Sequence, residues 1–122
     1  MSALFRKKGS EKEEGSMKER SLFTNKELMG AFERAIAKWG EQFQLNMVAE
    51  ECCELAKAVL KFNRKINGST IREVIDEMAD VYIMLGQLEI LLMKHYQGED
   101  LNNEINSTFD RKIQRLMRML DL

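Results

Sequence analysis

Two short acidic runs hold the side chains of this 122-residue chain that are best suited to catalysis or metal binding. They read Glu-Glu-Cys-Cys-Glu over residues 50–54 and Asp-Glu-Met-Ala-Asp over residues 76–80. Within each run, two carboxylates lie three residues apart in sequence: Glu51 with Glu54, and Glu77 with Asp80. Residues at this spacing are neighbours on an α-helix, with Cβ atoms about 5–6 Å apart. If both runs are helical, each predicts a pair of carboxylates that can act together.

Each pair is expected beside the buried face of its helix, because apolar residues recur at helical intervals in both segments. At about 100° per residue, and with Glu51 set at 0°, Glu54 lies near −60° and the apolar stripe centres near +70°. The same arithmetic places Asp80 at about −60° from Glu77, with the apolar stripe of that helix near +60°. Two antiparallel helices that pack through these stripes would bring four carboxylates to one seam.

Four negative charges at one seam repel each other, and removal from water adds to the cost of keeping them charged. A proton shared between two carboxylates relieves part of this cost, and divalent cations relieve more. Two Mg²⁺ ions would neutralise four carboxylates, and a ligand set made only of oxygen suits Mg²⁺ or Mn²⁺. Because Mg²⁺ keeps several of its waters, such a site remains open to phosphate oxygens.

Basic residues follow the first acidic run along the same helix. Lys61 and Lys65 fall at about −80° and −40° in the frame of Glu51, so they extend the acidic face by two to three turns. Metal ions beside ammonium groups are what a polyphosphate needs. An equally good account of Lys61, Arg64 and Lys65 is solubility and a favourable charge at the end of a helix.

The surrounding sequence predicts four helices and no strand. The capping-box spacing Thr-x-x-Glu occurs at Thr24–Glu27 and again at Thr70, where each predicts a helix start, and Asp100 can cap the last helix. The chain contains no proline, which favours uninterrupted helices. The expected helices cover about residues 25–39, 42–66, 70–96 and 101–120. The apolar stripe expected on the second helix is Leu45, Val48, Cys52, Leu55, Val59 and Phe62.

Four amphipathic helices with short turns favour an all-α, antiparallel four-helix bundle. The third helix is apolar around much of its surface, near Tyr82, Ile83, Leu91 and Met93. A small bundle cannot bury all of these side chains, so we expect a helical oligomer. Residues 1–22 are expected to be a flexible charged tail, and residues 23–122 form the single domain.

Composition argues against several classes of protein. The formal net charge of −1 provides no overall basic excess, so nucleic-acid binding is unlikely. The apolar stretches are interrupted too soon for a membrane-spanning helix. The adjacent Cys52 and Cys53 fit a reducing compartment, and we expect a cytoplasmic protein with Cys52 in the core. The single histidine, His95, leaves too few ligands for a structural zinc site.

The two acidic runs together resemble a known motif. Glu50-Glu51-x-x-Glu54, then 22 residues, then Glu77-x-x-Asp80 is similar to the signature of the MazG-like, all-α nucleoside triphosphate pyrophosphohydrolases. Further segments resemble that family at residues 38–40, Gln44, residues 54–58, 76–84 and 109–116. The resemblance covers about residues 25–120.

This resemblance implies a Mg²⁺-dependent hydrolase, with Mn²⁺ as a possible substitute, that converts a (deoxy)nucleoside triphosphate to the monophosphate and pyrophosphate. Such enzymes are credited with clearing aberrant or surplus nucleotides, and they assemble as homo-dimers or homo-tetramers. The positions that match the metal ligands are Glu51, Glu54, Glu77 and Asp80. Glu50 matches a further ligand or the group that orients the attacking water, so Glu50 and Glu51 are the expected catalytic residues.

The expected phosphate-binding residues are Lys61, Arg64, Lys65 and, more distantly, Lys112. Trp39 and Tyr82 are candidates for contact with the base, although packing explains both residues as well. The sequence leaves base and sugar preference open. It also leaves open a catalytically idle helical module that binds a nucleotide or a partner protein. A di-iron carboxylate bundle is disfavoured, because no Glu is followed by a His three residues later.

Overall fold

The computed structural model describes residues 21–122, and within that range it contains four helices and no strand. The helices are α1 (Asn25–Trp39), α2 (Glu41–Arg64), α3 (Gly68–Met93) and α4 (Leu101–Met119). The all-α prediction is therefore confirmed for this part of the chain. Of the tail expected over residues 1–22, all but the last two residues lie outside the described range.

The start of α1 and the break after it follow local sequence signals. The Thr24 hydroxyl accepts a hydrogen bond from the Glu27 backbone N–H, and the Glu27 side chain accepts one from the Thr24 N–H. This is the reciprocal capping box that the sequence predicts. Gly40 then separates α1 from α2 with φ 92° and ψ 154°, a backbone conformation that residues with a Cβ rarely adopt. The turn therefore depends on glycine.

The cap of α3 differs from the predicted one. Asn67, and not Thr70, is the N-cap residue: its side chain accepts a hydrogen bond from the Thr70 N–H at 2.9 Å. The Thr70 hydroxyl is turned back onto the Lys65 carbonyl at 2.8 Å, so it closes the loop after α2. Asn67 and Thr70 both have cap chemistry, and the helix starts at the residue that lies nearer to the end of α2. The last helix begins as predicted, with Asp100 as its cap.

Helices α2 and α3 form the main packed pair of the molecule. On α2, the buried and half-buried side chains recur every three or four residues: Gln44, Val48, Glu51, Leu55, Ala58 and Phe62. On α3 the corresponding series is Thr70, Val74, Glu77, Val81, Met84, Leu88 and Leu91. We call the line along which these two series meet the α2–α3 seam. Its spacing is that of two helices that pack along their length.

The predicted stripe of α2 is partly wrong. Leu45, Cys52 and Val59 are exposed, and the residues one position before them in sequence face α3 instead. The segment therefore has two apolar stripes about 100° apart, and α3 covers the one that contains Gln44 and Glu51. Of the apolar α3 side chains that a small bundle was not expected to bury completely, Leu91 is 1% exposed and lies in the core, whereas Ile83 and Met93 are exposed.

Helix α1 packs across the α2–α3 pair and completes the core. Phe32 and Ile36 are its buried residues. The Phe32 ring lies so close to Gly86 of α3 that a Cβ at that glycine would be 2.5 Å from Cε2 of the ring. The missing side chain at Gly86 thus permits the close approach of α1 and α3.

Helix α4 does not join this packing. It has no buried residue, and every residue from 109 to 122 is exposed. Within the described chain, three helices pack together, and the predicted packing of the fourth helix against them is not found. None of the helices in residues 21–122 combines the length and the apolar character needed to cross a membrane.

Candidate metal centre

Three carboxylates from α2 and α3 meet near the middle of the α2–α3 seam. Glu51, Glu77 and Asp80 each offer one oxygen, and these three oxygens lie within 4.8 Å of one another. We call this group the acidic cluster. It contains three of the four side chains that were expected to bind metal, and they come from two helices that are joined by a short loop.

The positions of the cluster residues explain its electrostatics. Glu51 and Glu77 occupy seam positions that apolar residues fill elsewhere, and both are half-buried. Asp80 lies at the rim and is exposed. Burial raises the pKa of the Glu51 carboxyl, and the charges of Asp80, Glu77, Glu54 and Glu50 raise it further, in that order. Two carboxylates are thus placed where their charged forms are disfavoured.

The charged form of the Glu77 carboxyl is also disfavoured. Its pKa is raised first by burial and then by the charges of Asp80, Glu54 and Asp76, while Lys57 lowers it. Its Oε2 atom is buried and has no hydrogen-bond partner. A buried carboxylate oxygen without a donor is costly, because it has lost water and gained nothing in return.

These observations fit a hard divalent cation. The donor set is made of carboxylate oxygens, the ligands that Mg²⁺ and Mn²⁺ prefer. A cation bound here would supply the partner that Glu77 Oε2 lacks. Its positive charge would also offset the repulsion between carboxylates that contributes to the raised pKa values of Glu51 and Glu77. Glu51, Glu77 and Asp80 are the residues that would hold it.

The other two acidic residues of the predicted site lie outside the acidic cluster. Glu54 is exposed, and its carboxylate lies 3.6 Å from the Lys57 ammonium. Its charge nevertheless raises the pKa of both Glu51 and Glu77, so it lies close to them. Glu50 is also exposed. Its charge raises the pKa of Glu51 but is not among the causes of the raised pKa of Glu77.

A groove of about 480 Å³ opens beside the acidic cluster, between α2 and the first turns of α3. Its lining contains three cations from α2 and three carboxylates: Lys57, Lys61, Arg64, Glu54, Glu73 and Glu77. Because Glu77 belongs both to this lining and to the cluster, the two features are continuous. The Lys61 ammonium is held by the Glu73 carboxylate at 3.0 Å.

The structure sorts the predicted phosphate-binding residues into two groups. Lys61 and Arg64 line the groove, whereas Lys65 and Lys112 are exposed and are not part of its lining. Lys65 lies at the cap of α2, and Lys112 is on the exposed half of α4. Lys65 is outside the groove because it follows the last residue of α2. Lys112 is outside it because α4 has no residue buried against the other helices.

Two groove residues were missed in the sequence. Lys57 follows Glu54 by three residues and precedes Lys61 by four, and Glu73 precedes Glu77 by four. At these spacings, side chains share one face of a helix. The sequence therefore contained a signal for both residues, because Lys57 and Glu73 each extend an acidic helix face by one turn.

The two candidates for base contact are not in the groove lining. Trp39, at the end of α1, is 53% exposed, and the Lys38 ammonium lies 5.2 Å from the centre of its ring. Tyr82 on α3 is half-buried. Cys52 and Cys53 are both exposed and unpaired, so the expectation that Cys52 lies in the core is wrong.

Comparison with models of protein families, with curated proteins and with solved structures found no match to this chain.

Proposed function

We propose that this protein is a Mg²⁺-dependent nucleoside triphosphate pyrophosphohydrolase whose acidic cluster is the metal site. The observation that carries the proposal is the meeting of three carboxylate oxygens within 4.8 Å, one side chain of which has a buried oxygen without a partner. The adjoining groove supports it, because it shares Glu77 with the cluster and is lined by the cations Lys57, Lys61 and Arg64. Such a site suits a substrate that brings several phosphate oxygens.

Bound Mg²⁺ would supply a water of lowered pKa and would offset the charge on the phosphoryl oxygens. Glu51, Glu77 and Asp80 would hold the metal, and Glu50 or Glu51 would accept the proton of the attacking water. The water oxygen forms a bond to the α-phosphorus, and the bond from that phosphorus to the bridging oxygen breaks. The electron pair leaves with pyrophosphate. Lys61 and Arg64 bind the departing phosphates, so no side chain acts as a covalent nucleophile.

We also propose that the chain works as a homo-dimer or homo-tetramer, in which a four-helix arrangement is completed between copies. Large apolar side chains remain exposed on three of the helices of one chain: Leu45, Val59, Ile71, Ile75, Phe109 and Leu116. Uncovered apolar surface of this extent is typical of an interaction face. In such an assembly α4 of one copy contributes Lys112 to the surroundings of a site on another.

Turnover of a panel of common and modified (d)NTPs with Mg²⁺ tests the proposal, with pyrophosphate and orthophosphate release followed separately. We expect pyrophosphate from the wild type, and loss of release in Glu51→Gln and Asp80→Asn with helicity unchanged. Clearance of surplus or aberrant nucleotides predicts a preference within the panel. If Mn²⁺ binds stoichiometrically but no nucleotide is cleaved, the chain is an idle binding module and the enzymatic proposal is wrong.

A further inference from the structure

Glu54 is the one predicted metal ligand that the structure places outside the acidic cluster, and it is paired with a lysine. Its carboxylate lies 3.6 Å from the Lys57 ammonium, one turn further along α2. Both side chains remain accessible, at 74% exposure for Lys57 and 51% for Glu54. Exposed ion pairs of this kind are weak and exchange readily, because water competes for both partners.

Lys57 lies where the acidic cluster meets the groove. Together with Glu54 and Glu77 it lines the end of the groove that adjoins the cluster. Its positive charge also lowers the pKa of the Glu77 carboxyl, against the effect of the surrounding acids. The lysine therefore offsets part of the negative charge around Glu77 and pairs with Glu54, the predicted ligand outside the cluster.

The cations of the groove form a row that begins with this lysine. Lys57, Lys61 and Arg64 are spaced by four and three residues, so they follow one face of α2 over about 10 Å. A lysine ammonium on a flexible stem can move between partners more easily than a fixed guanidinium fork. Lys61 is paired with Glu73, whereas Lys57 is paired with Glu54, which is itself a predicted metal ligand.

We propose that Lys57 is an exchangeable counter-cation of the site: its ammonium neutralises Glu54 before metal binds and moves to a phosphate oxygen of the substrate once Glu54 turns to the metal. This inference rests on the proposed function. It gives Glu54, the predicted ligand outside the cluster, a partner in the metal-free protein, in a pair weak enough to exchange. It also assigns Lys57 a phosphate-binding role that completes the row formed by Lys61 and Arg64.

The proposal predicts two effects of opposite sign on removing the charge. Without substrate, Lys57 competes with the metal for Glu54, so Lys57→Gln should bind Mn²⁺ about two- to fivefold more tightly. With metal present, the same variant lacks a charged donor to phosphate and should bind pyrophosphate about tenfold more weakly. A lysine that only stabilises the helix would not change the two affinities in opposite directions.

Isothermal titration of the full chain tests this, first with Mn²⁺ alone and then with inorganic pyrophosphate in excess Mg²⁺. Lys57→Arg keeps the charge and should restore both affinities, and Lys38→Gln, outside the groove, is the matched control for loss of one surface lysine. Opposite shifts in Lys57→Gln alone support the exchange. Unchanged or weaker Mn²⁺ binding by Lys57→Gln, with a wild type that binds metal and cleaves nucleotide, overturns the role of Lys57 only. A wild type that takes up no Mn²⁺ overturns the proposed function and this inference with it.

Discussion

The α2–α3 seam and helix α4 have similar patterns of apolar residues, but the seam is packed whereas α4 has no buried residue. Both are built from apolar residues at helical spacing, and α3 and α4 both begin at a side-chain cap, Asn67 and Asp100. The seam is packed along its length and yet contains polar side chains at its centre, among them Gln44, Glu51 and Glu77. Helix α4 is more regularly amphipathic, but none of its residues is buried.

The seam and α4 depart from simple hydrophobic packing for two different reasons. In the seam, Gln44 donates a hydrogen bond to Gln87, so that polar pair is satisfied within the chain. Glu77 is not satisfied, because its buried Oε2 has no hydrogen-bond partner within the described chain, and the proposed cation would supply one. In α4 an apolar face is exposed, and this face is the basis of the proposed assembly.

The largest effect is expected from neutralising the centre of the seam with Glu77→Gln. Loss of a cluster charge should lower turnover by at least about a hundredfold. The same change should raise the Tm of the metal-free protein at neutral pH. A raised pKa contributes stability that is present at low pH and lost as the pH rises through the raised value, and glutamine removes that loss.

Activity assays and thermal melts in the presence of a chelator, each over a range of pH, measure both effects of Glu77→Gln. Glu33→Gln, at an exposed position on α1, should change neither quantity. A lower Tm for Glu77→Gln at neutral pH would show that the carboxylate is not strained in the metal-free protein.

The second prediction concerns α4. Ile113→Glu places a charge on its apolar face, which is proposed to be buried between copies, so association should weaken by more than about a hundredfold. The wild type should have two or four times the 14.2 kDa chain mass, and the variant should approach that mass with its helicity retained. Light scattering after size exclusion gives the result, with Arg111→Glu as the control on α4. A wild type that already runs as one chain contradicts the proposed assembly.

A smaller effect is expected where α1 meets α3. Gly86→Ala would press its Cβ against the Phe32 ring, and overpacking of this kind costs about 1–3 kcal/mol. Gly30→Ala is a matched control, because nothing lies within 4 Å of a Cβ at that glycine in α1, and there alanine should stabilise by about 0.4–1 kcal/mol. Urea unfolding measures both changes. Equal effects at the two glycines would mean that the close packing of α1 on α3 is not required.

The smallest effect is expected at the end of the seam. His95, just after α3, is hydrogen-bonded to Glu41 at the start of α2. This bond is the main reason that the pKa of Glu41 is lowered. A lowered carboxylate pKa contributes stability above the ordinary value, and that stability is lost as the pH falls through the lowered value.

His95→Gln should therefore reduce the acid-side loss of Tm, which occurs as the pH falls below the ordinary pKa of a glutamate, and it should leave metal binding unchanged. Lys26→Gln, on α1, serves as the control. An acid-side slope that is the same in His95→Gln and the wild type would show that this contact adds nothing to the seam.

The sequence by itself determined the elements and the chemistry they carry. Helical spacing and cap residues placed α1 and α4 within a residue or two of their ends, because such signals are local. The pairs Glu51 with Glu54 and Glu77 with Asp80 followed from the same periodicity. The spacing of Lys57 and Glu73 carries the same kind of signal.

Tertiary structure decided the rotation of each helix and the partner of each face. Residues 44–62 have two apolar stripes one residue apart, and helical periodicity alone does not show which of the two is buried. Only the surface of α3 selects the stripe that places Glu51 inside and Cys52 outside. The same reason applies to α4: a helix can be read from its own residues, but burial of its apolar face needs a surface on another element, and no residue of α4 is buried within residues 21–122.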